Sequence, residues 1–371
     1  MKRYKEVVEK QKEFFKTGKP IDINYRKKAL IKLRDAVDKY EEKILYALKL
    51  DLGKSEFEGY ETELGIVKSE LKNTIKNLEK WSKPKKVRAS IMNPFSDNRI
   101  YNQPYGVCLI LSPWNYPFQL ALMPLIGSIA AGNTSILKLS EISSFTSGIV
   151  REIIGEIFDE EYIAVFSGEA DEAINLIESD IDFIFYTGNP KIGASVAESA
   201  GRRLIPCVLE LGGKSPCIID RKADLDNAAK KIVWGKFMNA GQTCVAPDYI
   251  IADRLVFLEL RDKLVHYIKE FYGENPIESD DYPKIINKKN FDRILNLIEG
   301  KRLIFGGKYD DDSLKIEPTI LEVSSMDEKI MQEEIFGPII PIIIYKNKSE
   351  IFEIIDKNKN PLALYLSLIH I

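Results

Sequence analysis

The sequence has 371 residues, of which 45% are hydrophobic and 29% charged, and its formal net charge is −3. This apolar mass can fill large hydrophobic cores, and the length predicts two or three domains. Lysine and arginine are interspersed with aspartate and glutamate, so the sequence predicts no basic surface for nucleic acid.

The chain shows no pattern of export or membrane insertion. Its charged start, Met1 to Lys5, is followed by no apolar run of the signal-peptide type. The most apolar region, 107–131, includes Asn115, Gln119 and three prolines, so it is a poor membrane span and a good candidate for buried core. We therefore expect a cytoplasmic protein with no membrane segment in these residues.

The cysteines and histidines argue against disulfides and metal. Four cysteines, at positions 108, 207, 217 and 244, do not make a disulfide framework in a chain of this length. No two of them have the close spacing of a zinc knuckle, and the sequence has only two histidines, His266 and His370. We therefore expect reduced cysteines and no metal site.

The N-terminal region has the periodicity of amphipathic helices. Two stripes of apolar residues recur at helical spacing, so the sequence predicts at least two helices. Such stripes could contact a partner, but contact with the core of the same chain is the more common role. The residues are Leu30, Leu33, Val37, Tyr40, Ile44 and Leu48 in the first stripe, and Leu64, Val67, Leu71, Ile75 and Leu78 in the second.

The segment 81–104 interrupts this periodicity with prolines at 84, 94 and 104 and a turn signal at 96–98. Residues 88–91 and 99–102 could form the two arms of a hairpin. A hairpin that leaves its domain often reaches a neighbouring subunit, whereas a solvated loop would fit the same residues. We predict an oligomerisation or bridging hairpin over 84–103.

From residue 107 onward, short apolar runs alternate with helical patterns. This alternation is typical of a parallel sheet covered by helices on both faces. The ligands of such sheets bind at the carboxyl ends of the strands. The predicted strands are 107–111, 134–139, 162–166, 181–187 and 206–211, and the predicted helices between them are 117–131, 144–158, 169–178 and 191–200.

A second α/β domain is predicted to begin near Leu211. One apolar run in it, 339–345, has the pattern of a buried strand. The predicted helices of this domain are 223–237, 255–272, 290–297 and 349–357.

A lone cysteine, Cys244, follows the predicted helix 223–237 and a turn that contains Gly241. Glycine permits backbone angles that are closed to other residues, and a thiol in such a turn can be exposed and reactive. Single cysteines are more often small buried apolar residues, and Cys244 alone would favour that role. Three further motifs favour a catalytic nucleophile instead, namely Pro113 to Pro117, Glu210 to Pro216 and Glu333 to Pro338.

Two polar residues lie at or after the ends of predicted strands, at positions that suit chemistry. Asn115 lies in Pro113-Trp114-Asn115-Tyr116-Pro117, where its amide could donate to a developing oxyanion. Asparagine between prolines also commonly bonds to nearby backbone. Glu210 ends the apolar run 207–209 and could act as a general base, although an isolated glutamate is more often part of a structural ion pair.

Two loops could contact a cofactor. The turn Thr187-Gly188-Asn189-Pro190-Lys191-Ile192-Gly193 joins a predicted strand to a helix, and its glycines would let backbone approach a phosphate. It lacks the three-glycine dinucleotide fingerprint, so by itself it is a weak signal. Lys138 and Glu141 follow another strand and could bond to the hydroxyls of a ribose, but a solvated loop is the simpler interpretation of that pair alone.

Together these motifs resemble those of the aldehyde dehydrogenase superfamily, and most closely its class 3, fatty-aldehyde-type branch. The matching stretches occur in family order over nearly the whole chain, and jointly they are highly specific. They are Pro113 to Phe118, Leu209 to Cys217, Trp234 to Tyr249, Met331 to Pro338 and Pro361 to Tyr365.

The resemblance implies a fold and a set of roles. It implies an α/β protein with a Rossmann-like dinucleotide-binding domain over 1–83 and 104–210, and a second α/β catalytic domain over 211–371. Cys244 matches the nucleophile, Glu210 the general base and Asn115 the amide that stabilises the oxyanion. The positions at the cofactor are Trp114, Lys138, Glu141, Thr187, Gly188, Asn189, Pro190, Lys191, Ile192, Gly193, Leu211, Gly212, Glu334 and Phe336.

The implied reaction is oxidation of an aliphatic medium- or long-chain aldehyde, or an aromatic one, to its acid. It would proceed through a thiohemiacetal and a thioester on Cys244. NAD is the expected cofactor, because Glu141 would repel the 2′-phosphate of NADP, although NADP is possible. The resemblance also implies a homodimer for a full-length chain.

The sequence departs from the family pattern at its end. Residues 367–371 match nothing in the family, whose chains continue further, so we expect a truncated chain with an incomplete catalytic domain. Two other functions stay open. One is a thiol esterase or acyltransferase that uses Cys244 and Glu210 without a cofactor, and the other is an inactive fragment.

Overall fold

The computed structural model describes residues 2–358 and 360–367. The chain divides into two compact units, Met1–Ala47 with Gly59–Glu210, and Leu48–Glu58 with Leu211–Ile371. Of the end that the sequence could not match to the family, residues 368–371 lie outside the described part of the chain.

The N-terminal region is helical, as the two apolar stripes predict. The first stripe is buried along two successive helices, which are separated at Tyr40, and most of the second stripe is buried along one helix. Asp22 caps the first of these helices by accepting a hydrogen bond from Tyr25 N–H at 2.8 Å. The helices are α1 (Lys2–Lys16), which the sequence did not predict, α2 (Ile23–Lys39), α3 (Glu41–Leu52), α4 (Glu56–Gly59) and α5 (Gly65–Ser82).

A two-stranded antiparallel hairpin follows, formed by β1 (Lys85–Val87) and β2 (Asn98–Ile100). The first arm lies nearer the N-terminus than the predicted 88–91, because the strand begins directly after Pro84. Residues 88–97 form the connection instead of a strand. Three apolar side chains of this connection, Ile91, Met92 and Phe95, are almost fully exposed.

The first unit contains the predicted Rossmann-like sheet, in the order β5-β4-β3-β6-β7. The pairs β3–β4, β3–β6 and β4–β5 are parallel. Every residue of β3 and β4 is buried, as expected where helices cover both faces. The elements are β3 (Val107–Leu111), α6 (Gln119–Ala131), β4 (Thr134–Leu139), α7 (Ser144–Ile157), β5 (Ile163–Ser167), α8 (Ala170–Ile177), β6 (Phe183–Gly188), α9 (Pro190–Arg202) and β7 (Cys207–Leu211).

The strand order reverses at β3, which lies between β4 and β6. In open parallel sheets the ligand binds outside the carboxyl ends of the strands at such a reversal. The motif with Asn115 follows β3, Lys138 lies near the end of β4, and Gly188 ends β6. Three of the predicted motifs therefore meet at one edge of this sheet.

The second unit has a six-stranded sheet in the order β10-β13-β14-β9-β8-β15. Its pairs are parallel except for the antiparallel β10–β13. The sequence predicted β14 but not the shorter strands beside it. The elements are β8 (Pro216–Ile219), α10 (Leu225–Phe237), β9 (Tyr249–Asp253), α11 (Phe257–Tyr272), α12 (Lys288–Ile298), β10 (Leu303–Phe305), β11 (Tyr309–Asp310), β12 (Lys315–Ile316), β13 (Thr319–Val323), α13 (Lys329–Gln332), β14 (Ile339–Tyr345), α14 (Lys348–Asp356) and β15 (Tyr365–Ser367).

Within residues 2–358 and 360–367, no helix is both long and apolar enough to cross a membrane. The same residues contain no group of three or more His, Cys, Asp or Glu side chains that could hold a metal ion.

Candidate active site

The backbone before Cys244 is strained. Helix α10 ends at Phe237, and the next turn contains Asn239 at φ 53° and Ala240 at φ 49°, followed by Gly241 at φ 72°. Left-handed backbone at two successive residues other than glycine is unfavourable and persists only where surrounding contacts enforce it. Such strain is concentrated at functional sites, so the local geometry supports a special role for the residues that follow.

A buried network of side-chain amides enforces this turn. Asn239 N–H donates to Glu58 Oε1 at 2.7 Å. Gln242 Nε2 donates to the carbonyls of Asn239 and Lys284, each at 3.0 Å, and its Oε1 accepts from Ile286 N–H at 3.0 Å. Because Asn239 and Gln242 are fully buried, three of these bonds lie away from water, where losing them is costly, and the bond to Lys284 is partly buried.

Cys244 itself is partly exposed. It lies in a turn that is closed by a hydrogen bond of 3.0 Å from Ala246 N–H to the carbonyl of Thr243. Cys108 and Cys217, by contrast, are buried in strands, and burial raises the pKa of each of these two thiols to about 12. Their thiols therefore stay protonated and inert at neutral pH, whereas the Cys244 side chain can be reached by a small molecule.

Gly241, three residues before Cys244, is needed for packing. A Cβ added to Gly241 would lie 2.3 Å from the carbonyl oxygen of Gly337, which is closer than real Cβ atoms come. The backbone at Gly241 thus lies directly against the backbone of the motif Glu334-Ile335-Phe336-Gly337. Phe336 also has a left-handed backbone, at φ 49°.

A buried charge cluster joins the separate motifs of the second unit. Lys214 Nζ lies 2.6 Å from Asp248 Oδ2, and Lys236 Nζ lies 3.6 Å from Asp248 Oδ1. Asp248 also accepts a hydrogen bond from Ile335 N–H at 3.1 Å. Lys214 donates to the carbonyl of Glu333 at 2.8 Å, so the backbone on both sides of Glu334 is held by this cluster.

The environment of Glu334 shifts its titration. Burial, reinforced by the negative charge of Asp248, raises the pKa of Glu334 to about 7. Burial also lowers the pKa of Lys236 to about 8, because its ammonium group is fully removed from water. A Cβ on Gly212 would lie 2.1 Å from Glu334 Oε2, so the carboxyl group occupies the space beside this glycine.

In the first unit, Lys138 and Glu141 form an ion pair after β4. Lys138 Nζ lies 2.8 Å from Glu141 Oε2, with the lysine buried and the glutamate partly exposed. A buried ammonium and an outward carboxylate at the end of a parallel strand offer a donor and an acceptor to the same ligand. A vicinal diol of a ribose has the matching chemistry.

The turn after β6 is the start of helix α9. Asn189 caps the helix by accepting a hydrogen bond from Ile192 N–H at 2.9 Å, and Pro190 occupies the first helical position. The hydroxyl of Tyr186 donates to the carbonyl of Asn189 at 3.3 Å. A Cβ on Gly188 would lie 2.3 Å from that hydroxyl, so the tyrosine requires a glycine there.

The remaining predicted residues lie at the ends of β3 and β7. Asn115 is buried and Trp114 is partly buried. Glu63, which is fully buried, accepts hydrogen bonds from Phe118 N–H at 2.8 Å and from Gln119 N–H at 3.1 Å, and thereby fixes the start of α6. Glu210 is exposed near the end of β7, and Leu211, which ends the strand, is partly buried.

These features fit a dinucleotide. In the first unit, α9 presents a capped N-terminus and Glu141 offers a carboxylate acceptor, and in the second unit Glu334 offers another. Each of these groups lies within its own unit.

The comparisons with known proteins agree with this chemistry. A sequence model of the Aldehyde dehydrogenase family matches residues 1–367. The chain therefore belongs to the aldehyde dehydrogenase family, whose members are NAD(P)-dependent enzymes that oxidise aldehydes to carboxylic acids.

Three relatives illustrate the similarity. The chain is 44% identical to 4,4′-diaponeurosporen-aldehyde dehydrogenase of Staphylococcus aureus, over 96% of this chain and 78% of that protein. It is 43% identical to aldehyde dehydrogenase family 3 member A2 of Pongo abelii, over 97% of this chain and 74% of that protein. A solved structure described as the substrate-bound state of Staphylococcus aureus AldH superposes with a TM-score of 0.97 at 42% identity, covering 99% of this chain and 80% of that one. The predicted resemblance to class 3 is thus confirmed.

Sequence reasoning missed the residues that support the site. Lys214, Lys236 and Asp248 lie within quoted motifs, yet nothing in their spacing shows that they share one buried cluster. Glu63 and Glu58 lie in the N-terminal helices, far from the motifs they support. The sequence contains one hint of these supporting residues. Charged residues inside apolar stretches indicate buried ion pairs, but the sequence does not say which residues are paired.

Proposed function

We propose that this enzyme oxidises medium- or long-chain aliphatic aldehydes, or aromatic aldehydes, with Cys244 as its nucleophile. The strained, anchored turn that leaves Cys244 partly exposed carries this proposal. The Staphylococcus aureus relative is named for an aldehyde, 4,4′-diaponeurosporen-aldehyde, and this name supports an aldehyde as the substrate.

In the proposed mechanism, the Cys244 thiolate attacks the aldehyde carbon and gives a thiohemiacetal oxyanion. The side-chain amide of Asn115 and the backbone N–H of Cys244 stabilise that oxyanion. Loss of a hydride from the same carbon leaves a thioester on Cys244, and the dinucleotide, when bound, would supply the acceptor for that hydride. Glu210 takes a proton from water, the water attacks the thioester, and the acid departs as the thiolate is restored.

The proposed cofactor contacts follow the two units. Lys138 and Glu141 would bind the adenine ribose, and the turn 187–193 together with Trp114 would contact the pyrophosphate and nicotinamide side. Leu211, Gly212, Glu334 and Phe336 would hold the nicotinamide ribose and ring. We propose NAD as the preferred form, because the Glu141 carboxylate would repel a 2′-phosphate.

We also propose roles for the larger segments. Residues 1–83 and 104–210 would bind the dinucleotide, 211–371 would form the catalytic domain, and 84–103 would bridge to a second copy in a homodimer. The exposed Ile91, Met92 and Phe95 support the last role, because exposed apolar clusters often mark interfaces. A cytoplasmic location is proposed because a catalytic thiol needs a reducing compartment.

The test is formation of reduced nicotinamide with an aliphatic and an aromatic aldehyde. Cys244→Ala should abolish it, while NAD should still raise the thermal midpoint of the variant. Cys108→Ala serves as the control, because that thiol is buried in β3. If Cys244→Ala kept wild-type turnover, the assignment of the nucleophile would be wrong. Ester cleavage that needs no nucleotide, without aldehyde oxidation, would favour the thiol esterase.

A further inference from the structure

A tyrosine outside the assigned site contacts the turn 243–246, which contains Cys244. The hydroxyl of Tyr365, on β15, donates a hydrogen bond to the carbonyl oxygen of Val245, the residue after Cys244. The strand β15 pairs in parallel with β8, and Tyr365 lies opposite Cys217 in that pairing. The phenol therefore reaches from one edge of the second sheet to the tip of the turn.

The segment that carries Tyr365 is fixed before it reaches the turn. Ala363 N–H donates to Ser215 Oγ at 3.2 Å. A Cβ on Gly213 would lie 2.9 Å from Leu362 N, so the two backbones pack against each other without an intervening side chain. Tyr365 is thus presented from anchored backbone, and its hydrogen bond can restrain the group that it contacts.

The group it contacts is the peptide between Val245 and Ala246, one residue beyond the nucleophile. Cys244 and Val245 are the two central residues of the turn closed by the bond from Ala246 to Thr243. A donor on the Val245 carbonyl fixes the plane of the peptide that leaves the turn, and this limits how Cys244 can rotate.

We propose that Tyr365 is a positioning residue for Cys244, which holds the nucleophile turn in its reactive geometry through the Val245 carbonyl. The effect on aldehyde turnover rests on the proposed function of Cys244. The effect on thiol reactivity does not, so the two can be tested separately.

The test compares Tyr365→Phe with Tyr267→Phe. The control removes a hydroxyl that donates to Asp226 at 2.6 Å on the helical face of the same unit. Five quantities are measured in each variant. The first is the rate of Cys244 alkylation by iodoacetamide as a function of pH, followed by peptide mass. The others are kcat and KM for an aldehyde, the dissociation constant for NAD, and the thermal midpoint.

We expect Tyr365→Phe to slow alkylation of Cys244 and to lower kcat, each by roughly tenfold, because small misplacements of reacting groups cost this much or more. The dissociation constant for NAD should stay within about twofold of wild type, and Tyr267→Phe should change neither rate. Unchanged alkylation and kcat in Tyr365→Phe would overturn the proposal. The proposal would also be overturned if the decreases in alkylation rate and kcat were fully explained by a smaller fraction of folded protein in the variant.

The two proposals fail in different ways. If wild type oxidises no aldehyde but Tyr365→Phe still slows alkylation of Cys244, the positioning role stands and the proposed function falls. If wild type oxidises aldehyde through Cys244 and the tyrosine variant matches it, the function stands and the positioning role falls.

Discussion

We expect Asp248 to affect both the free energy of unfolding and the geometry of the proposed cofactor site. Its carboxylate faces two buried ammonium groups, Lys214 at 2.6 Å and Lys236 at 3.6 Å, and accepts the N–H of Ile335 at 3.1 Å. Asp248→Asn keeps the shape of the side chain and removes its charge. Two buried cations would then face a neutral amide with a single carbonyl oxygen to share.

The expected cost follows from burial. Asp248 and both lysines are almost wholly removed from water, and breaking a buried ion pair costs about 3–5 kcal/mol. We expect the free energy of unfolding to fall by about 3 kcal/mol, since the asparagine still accepts one hydrogen bond. For a domain of this size, that corresponds to a thermal midpoint lowered by roughly 6–12 °C.

Cofactor binding should weaken at the same time. The Ile335 N–H is the backbone donor next to Glu334, and Lys214 holds the Glu333 carbonyl on its other side. Loosening both should move the proposed ribose-binding carboxylate and raise the KM for NAD roughly tenfold, with the KM for aldehyde less affected.

The matched control is Asp253→Asn, at the other end of β9. Asp253 is as buried as Asp248, but its ion-pair partner Arg221 is half exposed, at 3.1 Å. We expect a loss of about 1 kcal/mol and no change in the KM for NAD. Differential scanning calorimetry and steady-state kinetics on both variants decide the matter. An Asp248 variant no less stable than the Asp253 variant, with an unchanged KM, would refute the argument.

Three further predictions concern glutamate and glycine positions of the site. The pKa of Glu334 is raised to about 7, so its protonated form stabilises the fold at pH values below the unfolded pKa. That contribution to the free energy of unfolding is lost as pH rises through 7. Denaturant titrations of Glu334→Gln should not show this pH-dependent loss of stability. The affinity for NAD, measured by calorimetry, should rise with pH across the same range in wild type and not in that variant. Gly241→Ala places a methyl 2.3 Å from the Gly337 carbonyl at a left-handed φ, so it should lower the free energy of unfolding by about 3 kcal/mol or more; a denaturation midpoint equal to wild type would contradict this. Gly188→Ala should raise the dissociation constant for NAD roughly tenfold, because its methyl would lie 2.3 Å from the Tyr186 hydroxyl, and Tyr186→Leu in the same chain should recover part of the loss.

The sequence by itself determined the chain's class and most of its elements. Runs such as 107–111 and 134–139 are apolar throughout, so their only stable location is inside a covered parallel sheet, and the structure places strands at the same residues. The joint order of the Asn115, Glu210, Cys244 and Glu334 motifs carried the family, because such a combination rarely recurs by chance.

The short elements of the second unit could not be predicted in this way. Pro216–Ile219 has only four residues and Thr319–Val323 is interrupted by Glu322, so neither has a clear apolar pattern. They are strands because longer neighbours such as Ile339–Tyr345 pair with them or with their partners. The hairpin arm at Lys85–Val87 is polar and exposed, so hydrophobic patterning carried no signal for it. In each case tertiary context, and not local preference, set the structure.

The support of the candidate site was decided by tertiary structure alone. Whether Lys236 is a solvated lysine or a buried one that faces Asp248 depends on which strands lie around helix α10, and spacing along the chain does not encode that distance. Likewise, the left-handed backbone at Asn239 and Ala240 exists because Glu58 and Gln242 enforce it, not because those residues prefer it. Residue types fix which chemistry is available, whereas burial and strain arise only when distant segments are packed together.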